Sequence, residues 1–359
     1  MSHAMKDFHA RALLVLPRLR VQNANAVSSP LTHGFPSITA FTGLMWALQR
    51  QLTNAGMPLR LEQVGMVCHR HEEQVTDGYV KTFRLTRNPL NKDGESAAIV
   101  EEGRIHLELT VVFEVKLPAS QLMAHGSGSA LDQEARLSEW TTHIADIVTR
   151  MRIAGGTLLF VHPMPGTRTR PWMAVIPENH EERARMFARW RRQWLPGYAL
   201  VGRDDLLADR HRALRNELPD ATLLDAWLDA ARFNFRPVPD EPSEHKAENP
   251  NAKKQRWADP SKQKGEGWTV PIPVGYAALT KTLPAGEVAN ARDATTPFVF
   301  VESVYSFGQW ISPHRLNDLQ ELMWRPETDA STGLYRCRSG YVHAGSATTW
   351  ADDDMPDFD

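Results

Sequence analysis

RIHLELTVVFEV, residues 104–115, decides how the rest of the chain is read. Its first half alternates apolar and polar side chains, and its second half is an apolar, β-branched run. That is the pattern of a strand that starts at a half-exposed sheet end and runs into the core, so a central strand is expected. Immediately before it, two β-like arms flank the turn formers NPLNKDG (Asn88–Gly94), which predicts a long hairpin over about residues 76–104, projecting from the sheet. Further back, LEQVGMVCHRHEEQV (Leu61–Val75) reads as a strand. SITAFTGLMWALQRQLTNAG (Ser37–Gly56) reads as a helix with Ser37 as its cap and Gly56 as its stop. ARALLVLPRLRVQ (Ala10–Gln22) reads as a strand in which Pro17 marks an edge or a bulge.

Working forward, LDQEARLSEWTTHIADIVTRMRIAGG (Leu131–Gly156) predicts an amphipathic helix ended by Gly155 and Gly156. Strand, helix, strand, strand, helix is most of a ferredoxin-like βαββαβ unit, an RRM-like α+β head with an antiparallel sheet. GTLLFVHP (Gly156–Pro163) or PGYALVGR (Pro196–Arg203) would supply the closing strand. The head is expected over 10–236, with a helical insertion at about 180–235. Residues 237–267 are rich in Pro and charge and nearly free of aliphatics, so a flexible loop is expected. Residues 268–343 contain further strands that complete the head, and SPHRLNDLQELMW (Ser312–Trp324) reads as a helix with Pro313 in its first turn. Residues 344–359 form an acidic tail.

The composition bounds the function. Hydrophobic residues are 42% of the 359, enough for a sizeable core, and the formal net charge is −2. No global basic field exists, so nucleic-acid contact must come from local patches. The 11 tryptophans exceed what a core requires and suit interfaces or base stacking. With only Cys68 and Cys337, a disulfide framework is excluded and a reducing, cytoplasmic setting is expected. No apolar run approaches the roughly 18 residues of a membrane span, and MSHAMKDFHA lacks the apolar segment of a secretory signal.

CHRH (Cys68–His71) gathers a thiol and two imidazoles, but there is no second ligand pair, and His69 and His71 would share one strand face while Cys68 takes the other. Neither a metal nor another cofactor is expected. No nucleophile elbow and no phosphate-binding P-loop occurs. The helix RARMFARWRRQW (Arg183–Trp194) reads as a solvated face balanced by Glu181 and Glu182, or as a patch against phosphate. In the hairpin, Lys81, Arg84 and Arg87 interleave with Phe83 and Leu85 and are followed by Asn88, a pattern suited to gripping a single nucleic-acid strand. RVQNANAVSSPLTHGFPS (Arg20–Ser37) concentrates Asn23, Asn25, Ser28, Ser29, Thr32 and His33 in one connector before a helix start. Such a loop, closed by Phe35 and flanked by Arg70, could hold a bent phosphate backbone and read base edges. Gly34 would let the backbone approach a ligand.

Long strings of the chain resemble the second Csy subunit of type I-F CRISPR surveillance complexes, the Cas-five-type subunit. They include LPRLRVQNANAVSSPLTHGFPSITAFTGLMWALQR, LTRNPLNKDGESAAIVEEGRIHLE, LPGYALVGRDDLL, GWTVPIPVGYAAL and GEVANARDATTPFVFVE. The likeness runs from about Ala12 to Arg336, and is poor over 241–265 and after Val342. It implies a non-catalytic subunit that binds the 5′ handle of the guide RNA and clamps it with a β-hairpin thumb. It implies the large Csy subunit and the first backbone Csy subunit as partners, with target DNA engaged through the complex. By motif match, Asn290 and Arg292 in NARD are further RNA-binding positions. A related subunit in type I-C systems processes the precursor RNA. The alternative is therefore a metal-independent endoribonuclease with His33, His69 or Lys81 in acid–base roles.

Overall fold

The computed structural model describes residues 10–343, apart from 88–89, 91–92, 97–98, 119, 121–129, 160–167, 233–235, 240–254, 259–267 and 292. The first elements are β1 (Ala10–Asn25), β2 (Val27–Ser29), β3 (Thr32–His33), α1 (Ile38–Asn54) and β4 (Arg60–Glu73). Next come β5 (Val75–Thr76), β6 (Thr82–Phe83), β7 (Leu85–Arg87), β8 (Ile99–Glu101) and β9 (Arg104–Leu117). They are followed by α2 (Ala130–Val148), β10 (Arg152–Ile153), β11 (Gly156–Leu159), β12 (Trp172–Val175), α3 (His180–Arg192) and β13 (Tyr198–Gly202). The chain continues with α4 (Asp204–Glu217), α5 (Leu223–Ala231), β14 (Arg236–Pro239), β15 (Gln255–Ala258), β16 (Trp268–Ala278), β17 (Val301–Ile311), β18 (Trp324–Asp329) and β19 (Leu334–Ser339).

The fold is α+β, built on a large antiparallel sheet in the order β10-β11-β1-β9-β4-β13-β17-β16-β19-β18, with β12 also on β1. The central strand expected at residues 104–115 is β9. It pairs with β1 from Ala10↔Leu117 to Asn25↔Arg104 and with β4 from Arg60↔Lys116 to Glu73↔Ile105. Alternate residues of β9, from Ile105 through Leu117, are buried against α1 and α2, where Phe41, Met45, Leu48, Trp140 and Ile144 meet them. On the reverse face Val112 joins Leu13, Val15 and Val67 under Phe187, Trp190 and Trp194. The mid-strand apolar run is therefore explained by helices on both sides of the sheet.

The sheet also returns on itself. One edge of β4 faces β9. Its other edge is shared by β13, through Val67 and Cys68, and β18, through Val64. The circuit β4-β13-β17-β16-β19-β18-β4 thus ties the C-terminal strands to the N-terminal part. A buried carboxylate reinforces the tie. Glu114 of β9, 3% exposed, accepts from Arg11 of β1 at 2.6 Å, Gln63 of β4 at 3.2 Å and Gln320 at 2.8 Å. The prolines of β16 are tolerated because β19 joins that strand only from Gly275 onward, which leaves Pro271 and Pro273 bordered on one side only.

Several expectations need correction. Of the two readings of Pro17 the bulge holds and the edge does not: β1 lies inside the sheet, and the register breaks in a bulge between Leu16 and Leu19, with Arg18 at φ 54°. The helix after residue 130 ends at Val148. Gly155 and Gly156 belong instead to the β10–β11 hairpin. Ser37 stands at the N-cap of α1 but its hydroxyl bonds Thr39 Oγ1 at 2.7 Å, not a helix amide. The helix expected from Ser312 is two short 3-10 turns, Pro313–Arg315 and Leu319–Leu322, after which Trp324 opens β18. Within the segment expected to be a loop, β14 and β15 pair from Arg236↔Ala258 to Pro239↔Gln255. The acidic tail and most of that segment lie outside the described residues.

Gly275 is where β16 crosses closest to β19. A Cβ there would lie 2.0 Å from the Tyr335 carbonyl oxygen and 2.9 Å from Arg336 Cα, both backbone atoms. Gly275→Ala is expected to lower stability by about 1–3 kcal/mol, read as a lower urea midpoint with an unchanged m-value. An unaltered midpoint would show that the β16–β19 junction is not under this steric constraint.

Candidate nucleic-acid interface

β13 pairs with β4 only as far as Cys68, so beyond that residue no described strand borders this edge of β4. Free backbone N–H and C=O groups on such an edge seek partners. A groove of about 650 Å³ opens there. Its walls come from segments distant in sequence: His33, Gly34 and Phe35 from the connector, Cys68–His71 and Glu73 from β4, Val75, Asp77 and Lys81 from the hairpin base, and Trp268, Val270 and Trp310 from β16 and β17.

Its floor is aromatic. Phe35 meets Trp310 edge-on at 4.9 Å and stacks on Phe41 at 5.7 Å. The pairing of Trp268 with Trp310 across β16–β17 puts the two indoles 6.1 Å apart, and His71 lies 6.3 Å from Trp268. Trp268 is 54% exposed and Tyr198, on the same groove, 52%. Exposed rings of this size on a groove supply stacking faces. The rim is mixed in charge. Arg70 and Lys81 are largely solvated, each with a carboxylate at 3.7 Å, Glu72 and Asp77 respectively.

The connector holds its shape by bonding itself. The Asn25 side chain donates to Val27 O at 2.7 Å and accepts from Val27 N–H at 3.2 Å. Ser28 Oγ accepts from Ser37 N–H, Ser29 and Thr32 share a hydroxyl bond of 2.7 Å, and Leu31 N–H donates to Ser29 Oγ. His33 Nδ1 bonds Glu73 Oε1 at 2.9 Å and its ring meets Phe83 edge-on at 5.8 Å, which ties the connector to β4 and to the hairpin. Gly34, at φ 109°, has nothing within 4 Å of where a Cβ would stand. Its glycine character serves a backbone turn that L side chains avoid, as well as an open approach.

Residues 14–337 match the Csy2 family of CRISPR-associated proteins. The chain is also 44% identical, over 332 residues, to the CRISPR-associated protein Csy2 of Pseudomonas aeruginosa (strain UCBPP-PA14), covering 90% of this chain and 94% of that relative. The chain belongs to the Csy2 family. Its membership makes it a subunit of a type I-F CRISPR Csy complex, an antiviral defence assembly.

In this Csy2-family chain the groove brings together His33, Phe35, Arg70 and Lys81 of the residues singled out from the sequence. Asn23, Asn25, Ser28 and Ser29 are not among its lining residues. Asn25 N–H donates to Ala154 O in the β10–β11 turn, and Asn23 N–H donates to His106 Nδ1 of β9. Arg84 stands at the hairpin base, donating to Gln74 Oε1 at 3.0 Å. Arg87 lies in β7, paired with Ile99 of β8, and its side chain is outside the described residues, as are Asn88 and Arg292. Asn290 is in the loop between β16 and β17 and is not among the residues that line the groove. Sequence reasoning missed Trp268, Trp310, Tyr198 and His71. The excess of tryptophan was a signal for the class of residue but not for the positions.

The CHRH segment is also rearranged. A bulge between Cys68 and Arg70 puts Arg70 opposite Glu108 and His71 opposite Leu107, so His69 and His71 do not share a face. His69 Nδ1–H donates to Pro196 O at 2.7 Å, and Nε2 meets the Thr110 hydroxyl at 2.8 Å. Among the described residues no group of His, Cys, Asp and Glu is placed to hold a metal ion. Burial pushes the Cys68 thiol up to about 12 and the His69 imidazole down to about 4.

The His69 shift has a sign. The folded state holds the ring neutral while the unfolded chain takes up a proton near pH 6.5, so stability is full above pH 6.5 and falls as pH drops toward 4. Denaturation midpoints measured across that window should decline by up to about 3 kcal/mol equivalent, and His69→Gln should remove most of the decline. A wild-type slope that survives the substitution would assign it to other groups.

Proposed function

We propose that this chain is a non-catalytic RNA-binding scaffold subunit that holds the 5′ handle of the guide RNA and joins the large Csy subunit to the backbone filament. The observation that carries the reading is the groove beside the free edge of β4. It combines exposed indole and phenol faces and solvated cations where connector, hairpin base and C-terminal strands meet. Unpaired bases need π-faces and their phosphates need cations. The ferredoxin-like reading of the head is supported by the order β11-β1-β9-β4, in which a strand–helix–strand–strand–helix–strand unit interleaves. The thumb reading is supported by the β5–β6 and β7–β8 pairings that lead the chain from β4 to β9. Bridging protein neighbours, and meeting target DNA through them, follow from membership in a multisubunit complex.

Two measurements test it. Guide RNA carrying photoreactive bases in the handle, assembled into the complex, should crosslink to the Trp268, Phe35 and His33 segments. Adducts confined to other surfaces would remove the groove from the path of the RNA. In addition, Trp268→Ala should weaken handle RNA binding about tenfold, as expected for one lost stacking contact, with little change in salt dependence. Substituting Arg70, Lys81 or Arg84 by Ala should instead flatten the salt dependence.

The endoribonuclease alternative has one observation in its favour: the His33–Glu73 pair lines the groove beside Lys81. His69 does not serve it, because both of its ring nitrogens are engaged within the fold. Purified chain with repeat RNA in EDTA is expected to leave the RNA intact. Site-specific cleavage abolished by His33→Ala would establish the alternative.

A further inference from the structure

α3 carries its arginines in two chemically different sets. Arg183 donates to the Pro177 and Glu178 carbonyls, and Arg191 to the Leu316 carbonyl, so these two hold the helix in place. Arg185, Arg189 and Arg192 are exposed, and among the described residues none has a carboxylate within 4.0 Å. Glu181 and Glu182, expected from the sequence to balance them, occupy the first turn, where they complement the helix dipole. The three arginines recur at i, i+4 and i+7, so they share one face and span about 10 Å of helix axis. Phosphates of one strand recur about every 3.4 Å of duplex axis, so with α3 lying along that axis the length matches about three of them.

Residues leading into β12 extend the patch. Arg168 lies 4.8 Å over the Trp172 ring and reaches Gln193, at the C-terminal end of α3, at 3.4 Å. Arg168 and Arg170 line a cavity of about 480 Å³ with Glu134 and Asp146 of α2, without a described ion pair to either carboxylate. Burial, and secondarily the charge of Arg189, lower the Arg168 pKa. Arginine forks match phosphate oxygens two at a time, which a point-charge lysine does not. The aromatic rings beneath, Trp172, Phe187 and Trp190, are all buried, so the patch offers charge but no stacking face. Unpaired bases would be left unsatisfied there. A duplex, whose bases are already stacked, presents only its backbone.

We propose that the face formed by Arg185, Arg189 and Arg192 of α3, together with Arg168 and Arg170, binds the phosphodiester backbone of duplex DNA without reading sequence. This surface does not involve the groove residues, and its fate is independent of theirs.

The test is fluorescence anisotropy of the full-length chain with a labelled duplex of about 30 base pairs, across a salt series. The triple variant Arg185→Gln, Arg189→Gln, Arg192→Gln should bind at least about tenfold more weakly at low salt, with the slope of log K against log salt reduced by about two to three. A triple Arg→Lys variant with the same melting temperature should keep most of the slope, which separates charge from folding. Trp268→Ala should leave duplex binding unchanged. A wild-type chain that does not bind the duplex, or a salt slope indifferent to the triple substitution, would overturn the proposal. So would loss of polyglutamate binding with duplex binding intact, since that would make the patch a dock for an acidic protein.

Discussion

A strand edge hydrogen-bonds one neighbour at each position, and the far edge of β4 is divided between two. Val64 takes β18, Val67 and Cys68 take β13, and among the described residues no strand borders the edge beyond. Everything on the C-terminal side depends on this division. β13 leads to β17 and β16, β18 leads back through β19 to β16, and the circuit closes only because both ends reach the same strand. The Glu114 network, reaching β1, β4 and Gln320 together, fixes the same junction with charge-assisted bonds. Removing one donor would leave a buried carboxylate short of partners, a situation proteins rarely tolerate.

The groove is a consequence of that geometry. Where β13 departs, β4 runs on beside the connector on one side and the β16–β17 ribbon on the other. The connector's polar composition then has a structural explanation. Asn25, Ser28, Ser29 and Thr32 reinforce the short β2–β3 pairing with Asx-type and hydroxyl bonds. Their satisfaction within the loop makes it rigid, and the rigid loop presents His33, Gly34 and Phe35. A preorganised wall of this kind loses little conformational freedom when a ligand is held.

The N-terminal half was legible because local periodicity and tertiary burial agree there. β9, α1 and β4 show the spacing their environment requires. Ser312–Trp324 was misread because Leu316, Leu319 and Leu322 recur every third residue, a spacing that an α-helix and 3-10 turns bury almost equally well over so short a run. The two faces of β4 were misassigned because the bulge at His69 inserts one residue and flips the alternation beyond it. The aromatic floor was out of reach for a different reason. Trp268 and Trp310 are neighbours only through the register of β16 and β17, which no local pattern in either strand specifies.

Charge was legible as a total but not as a distribution. A net charge of −2 says nothing about where cations stand free, because most of the described arginines answer a specific group: Arg11 serves Glu114, Arg203 serves Asp205, Arg336 serves Asp204. Those pairs are structural and leave no field beyond the surface. Against that background, unpaired arginines along one helix face carry more information than a basic composition would, since like charges brought together destabilise the fold unless something external answers them. The groove and the α3 face therefore differ in kind. One couples modest charge to exposed rings and suits a strand whose bases are free; the other has charge over buried rings and suits a strand whose bases are already paired.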